Sequence, residues 1–108
     1  MPLTIKTWNI ESMTGYKPKT TFYEDFSIAD NFGLRAIKDT FETAFKYYKN
    51  DVEYLTELIM VLNWKSWEHS NGDTQKMNLY ISLYYKANDY AYNNLKGEDL
   101  KYFIRTTD

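Results

Sequence analysis

From Phe22 onward, apolar residues return every three or four positions, the spacing of amphipathic helices. Phe22, Phe26 and Ala29 share one face, and Gly33 is placed to end that first helical segment. Ser27, with Asp30 three residues on, could instead cap one longer helix running to Lys49. A break or bend near Gly33 is the favoured reading. The next segment has the cleanest pattern. Leu34, Ile37, Phe41, Ala44, Phe45 and Tyr48 form one stripe, with Arg35, Lys38, Asp39, Glu42, Lys46 and Lys49 around it. Asn50 or Asp51 caps a third helix that runs to about His69 and ends in the turn residues "SNGD". Asp73 caps the last long helix, which Gly97 is expected to terminate. "EDLKYFIR" supports one further short helix.

The first residues follow a different pattern. "TIKTWNI" suits a short strand or an extended arm, and "MTGYKPKTT" is rich in turn formers. Both prolines, Pro2 and Pro18, fall here, so nothing after them interrupts a helix. The predicted fold is all-α, a compact antiparallel bundle of three long helices and one or two short ones. The chain is read as a single domain, with an irregular arm over residues 1–21 and the bundle over 22–108.

The third helix is apolar on two sides. Val52, Leu55, Leu58, Ile59 and Leu62 cluster on one face, which continues to Ser66 and His69. Met60, Trp64 and Trp67 fall opposite, mixed with Glu53, Glu57 and Glu68. A helix apolar on both sides is expected between layers, at the centre of the fold. The last long helix repeats the pattern more weakly. Met77, Tyr80, Ile81, Tyr84, Ala91 and Leu95 make its main stripe, with Asn88 set into it, and Leu79, Leu83 and Tyr90 make a second. The helix at 34–49 has one stripe and is expected outside. Six residues from the two second stripes, Met60, Trp64, Trp67, Leu79, Leu83 and Tyr90, are therefore the candidate interface. Either the N-terminal arm, with Trp8, Ile10, Met13, Tyr16 and Phe22, or a second copy of the chain would cover them. Asn88 either fixes helix register or lies at the core edge beside a tyrosine hydroxyl.

Composition narrows the chemistry. The 108 residues suffice for one domain, which at this size buries roughly two-thirds of its unfolded surface. There is no cysteine, which removes disulfides, thiolate metal sites and cysteine nucleophiles and is compatible with a reducing cytoplasm. The start lacks a signal-peptide pattern, and the longest apolar run, "LIMVL", is far short of a membrane span. A cytoplasmic protein without membrane contact is expected. The formal net charge is −2, without the basic excess that nucleic-acid binding requires. Aromatic residues make up 19%, and eleven are tyrosines, which suit the margin of a core or an interface.

No catalytic or metal-binding set is coherent. His69 is the only histidine, so a zinc site or the Glu-x-x-His pair of di-iron bundles is not expected. At a helix C-terminus a histidine also has a structural use, since its charged form complements the helix dipole. Glu53 and Glu57 are spaced for paired carboxylates, but that spacing is common on solvated faces. "GYKPK" lacks the glycine density of a phosphate loop, and "NGD" lacks the acidic pattern of a calcium loop. Trp64 and Trp67 could stack on bases, yet only Lys65 lies near.

Three stretches carry a resemblance: "TGYKPKTTFYEDFSIADNFG" (14–33), "EYLTELIMVLNWKSWEH" (53–69) and "NLKGEDLKYFIRTTD" (94–108). Together they resemble small uncharacterised proteins encoded by phages, prophages and mobile elements of gut-type Gram-positive bacteria. The resemblance implies a cytoplasmic accessory protein and transfers no activity, cofactor or catalytic residue. It also implies that "PKTTFYEDF" and "FIRTTD" dock onto the bundle, with Arg105 and Asp108 tying down the C-terminus. The leading expectation is a non-enzymatic helical protein acting by protein–protein interaction, with itself as a homodimer or with a host or phage factor. The alternative is a small ligand-binding protein or enzyme with a pocket near Trp64, Trp67 and His69.

Overall fold

The computed structural model describes residues 21–107, which form five α-helices and no strand. They are α1 (Thr21–Asp30), α2 (Leu34–Tyr48), α3 (Val52–Glu68), α4 (Thr74–Asn94) and α5 (Gly97–Thr107). The all-α reading is thus correct. The expected arm lies outside the described residues except for Thr21, which already belongs to α1.

Local chemistry explains most boundaries. The Asn31, Phe32 and Gly33 amides bond back to the Ile28 and Ala29 carbonyls, closing α1. Gly33 then turns the chain at φ +109°, a conformation that side-chain-bearing residues rarely adopt. That turn produces the break between α1 and α2. Asp51 caps α3 by accepting bonds from the Glu53 and Tyr54 amides, and Asp73 caps α4 through the Lys76 amide. Gly97 departs from expectation. α4 has already ended at Asn94, because Leu95 takes an extended conformation while its amide still bonds to Ala91. Gly97, at φ +58°, opens α5 instead of closing α4.

α3 is the centre. It packs against all four other helices, and nine of its residues are buried. Leu55, Leu58, Ile59 and Leu62 are fully enclosed, together with Phe26 of α1, Ile37 and Phe41 of α2, Tyr80 of α4 and Phe103 of α5. Each such side chain contributes about 1.5–3 kcal/mol relative to exposure. Aromatic edges lock the joints. Phe22 meets Tyr48 and Tyr54 edge-on, at centroid distances of 5.4 and 5.9 Å. Tyr92 meets Phe103 at 5.4 Å.

α4 corrects the two-stripe expectation. Its buried residues are Tyr80 and Ala91 of the expected main stripe, Leu83 of the second, and Ala87 between the two. Leu79 and Tyr90 on one side and Tyr84 and Leu95 on the other are the half-buried shoulders of a single broad face. The face is broad because α4 packs against both α3 and α2. Asn88 is half-buried at its margin. At the C-terminus Phe103 anchors α5, whereas Arg105 is exposed, and Asp108 lies outside the described residues.

Candidate functional site

Of the six candidate interface residues, three face water. Met60, Trp64 and Trp67 are 45, 63 and 70% exposed and form a ridge along the outer side of α3. The other three are occupied inside the fold. Leu83 is buried, and Leu79 is half-buried against the core. Tyr90 meets Phe45 edge-on at 5.1 Å and donates to Asn50 Oδ1 at 3.3 Å, while Lys49 Nζ sits over its ring. Thus α2 covers the second stripe of α4, leaving the tryptophan face of α3 as the exposed apolar surface among the candidates.

The ridge has a groove on each side. One, of about 270 Å³, lies between α3 and α5, with Met60, Val61 and Trp64 facing Tyr102 and Thr106, and with Glu53 and Glu57 along its wall. The other, of about 250 Å³, lies between α3 and α4. Trp67 faces Met77, Ile81, Tyr84 and Tyr85 across it, with Asn63, Ser66 and Ser70 supplying polar atoms. The two tryptophans therefore mark different grooves. Trp64 also rests against Tyr23 of α1, with ring centroids 5.6 Å apart.

Behind the ridge, on the inner side of α3, is a second polar feature that the sequence did not announce. Lys65 is only 2% exposed. Its Nζ lies 2.7 Å from Asp30 Oδ2 of α1, within 3.3 Å of Ser27 Oγ and Glu68 Oε1, and over the Tyr23 ring. Asp30 is the hub. His69 Nε2 lies 3.1 Å from Oδ2, and Tyr80 donates to Oδ1 at 2.6 Å. Lys76 donates to the Asp30 carbonyl at 2.7 Å. The His69 ring stacks on Tyr80 at 5.7 Å with planes only 3° apart. A buried ion pair is tolerable when further hydrogen bonds satisfy both charges, and this cluster meets that condition.

Electrostatics around the cluster favour neutral phenols. Burial is the main cause that pushes the Tyr80 hydroxyl far above the usual tyrosine range, and the bond to Asp30 and its charge add to it. The Tyr23 hydroxyl is also raised, chiefly by its hydrogen bond to Glu68. Both groups are hydrogen-bond donors at neutral pH.

Neither of the two tryptophan grooves described brings Trp64, Trp67 and His69 together. His69 lines neither tryptophan groove, because Asp30 and Tyr80 hold its ring on the inner side of α3. Among the described residues no three His, Cys, Asp or Glu side chains group as metal ligands, and no helix is long and apolar enough to cross a membrane. The chain matches no family model, no curated protein and no solved structure.

Proposed function

We propose that this is a non-enzymatic protein that works by binding protein through the Met60–Trp64–Trp67 face. One observation carries the reading: the helix most enclosed by the fold presents two tryptophans, 63 and 70% exposed, on its remaining side. Exposed tryptophans are enriched at the energetic centres of interfaces. The flanking grooves favour a protein partner over a small ligand. At about 270 and 250 Å³ they fall below the ~300–1,000 Å³ of typical ligand pockets and suit single side chains of a partner. The partner is either a host or phage factor or a second copy, and the setting we propose is the cytoplasm of a bacterium carrying a phage or mobile element. That setting rests on the sequence resemblance alone.

The test pairs light scattering with affinity capture from bacterial extract, comparing the full chain with a Trp64→Ala/Trp67→Ala variant. The reading expects a self-association or a captured protein that the variant loses while its circular dichroism is unchanged. A full chain that stays monomeric and captures the same proteins as the variant would remove the function assigned to this face.

A further inference from the structure

The two grooves beside the tryptophan ridge differ in charge, and that difference narrows the partner. Resting on the protein-binding reading above, we infer that the α3–α5 groove receives a lysine or arginine side chain from an apolar stretch of the partner. Among the described residues, the charged ones lining it, Glu53 and Glu57, are both acidic. Glu53 is exposed at the first turn of α3. Trp64 and Tyr102 supply aromatic rings at the same groove. A cation beside indole and phenol rings is attracted by their quadrupoles, and a carboxylate at the mouth adds charge-assisted hydrogen bonding. The long methylene stem of lysine or arginine would meanwhile lie along Met60 and Val61.

Among the described residues, the neighbouring α3–α4 groove has no charged side chain in its lining. Burying an unpaired charge there would be costly, so that groove accepts an apolar or aromatic side chain. A segment crossing the ridge thus places a cation on the Trp64 side and a neutral residue on the Trp67 side. The volume of each groove limits it to about one large side chain, which excludes a bulky cofactor as occupant. Among the described residues, Lys65, the cation nearest the tryptophans in sequence, is turned inward to Asp30 and offers this face no basic patch for a nucleic acid.

The experiment uses a random peptide library displayed on phage and selected against the full-length protein. The strongest peptide is then synthesised and titrated against wild type, Glu53→Gln, Trp64→Ala and Trp67→Ala. The inference expects selected peptides that carry Lys or Arg beside apolar residues. Trp64→Ala should weaken binding about 30-fold or more, the loss of a central aromatic anchor. Glu53→Gln should weaken it about 2- to 5-fold and reduce its salt sensitivity. Urea unfolding of each variant confirms that the fold is intact. Selected peptides that are neutral or acidic, or an absence of any selected peptide, overturn the inference. Dependence on Trp64 and Trp67 without dependence on Glu53 also overturns it, yet leaves the protein-binding reading standing. Binding that ignores all three residues defeats both. Two outcomes assign another occupant. A dimer in ultracentrifugation that Trp64→Ala dissociates makes it a second copy. Tighter peptide binding to Trp8→Ala makes it residues 1–20, which carry Lys6, Lys17 and Lys19 against Glu11.

Discussion

Changing Asp30 to asparagine keeps the shape of the side chain and removes its charge. The structure makes this the most damaging conservative change in the inner cluster. Asp30 Oδ2 lies 2.7 Å from Lys65 Nζ, and Oδ1 accepts from Tyr80 at 2.6 Å. Lys65 is 2% exposed, so its ammonium cannot turn to water when the carboxylate is neutralised. Glu68, itself about one-third exposed, is 3.3 Å away and compensates only in part. Removing one partner of a buried pair costs about 3–5 kcal/mol. Domains are stable by about 5–15 kcal/mol, so Asp30→Asn should lose a large share of its stability. Urea unfolding followed by far-ultraviolet circular dichroism at neutral pH measures the loss. Adding Lys65→Met to the variant removes the orphaned ammonium and should recover part of it, a coupling that a double-mutant cycle reads directly. A loss under about 1 kcal/mol would mean that Asp30 and Lys65 behave as a solvated surface pair and not as a buried one.

The same structure predicts two further outcomes. Tyr80 should stay protonated through the ordinary tyrosine range in the folded protein and ionise only on unfolding. Because its folded pKa is raised, the stability it adds is complete below the unfolded value near 10 and is lost as pH rises above it. Stability curves at alkaline pH should therefore fall more steeply for wild type than for Tyr80→Phe. Equal slopes would contradict the raised pKa. The second outcome separates core from surface among residues grouped together by sequence. Leu83→Ala should cost about 2–5 kcal/mol, whereas Trp67→Ala, with its side chain mostly in water, should cost about 0.5 kcal/mol or less. Chemical denaturation of the two variants decides, and comparable losses would mean that Trp67 is packed.

Helical spacing carried much of this fold. The two sides of α3 were legible because its apolar residues separate cleanly: Leu55, Leu58 and Leu62 turn inward and Met60, Trp64 and Trp67 outward. Lys65 was read only as the cation near the tryptophans, and its burial was missed for an instructive reason. It follows Val61 by four residues and Leu62 by three, so spacing puts it on the buried side, but residue type argues for water. Its partner Asp30 lies 35 residues earlier, on another helix, and no local pattern pairs them. α4 failed differently. Tyr80, Leu83, Ala87 and Ala91 hold its centre line, and Ala87, the small residue that joins the two stripes into one face, drew no attention beside its larger neighbours. A helix packed against two neighbours buries a wide arc, which spacing alone splits into two stripes. His69 stood out as the lone histidine, yet what it touches, Asp30 and Tyr80, comes from two other helices.

The central claim is that the tryptophan face of α3 is open to a partner. Acrylamide quenching of the full-length Trp8→Phe protein, kept dilute and shown to be monomeric by ultracentrifugation, tests it most directly, since Trp64 and Trp67 are then the only tryptophans. Ready quenching of both is expected, with protection on adding the selected peptide. Two tryptophans shielded in the free monomer would contradict the claim, because the face would already be covered.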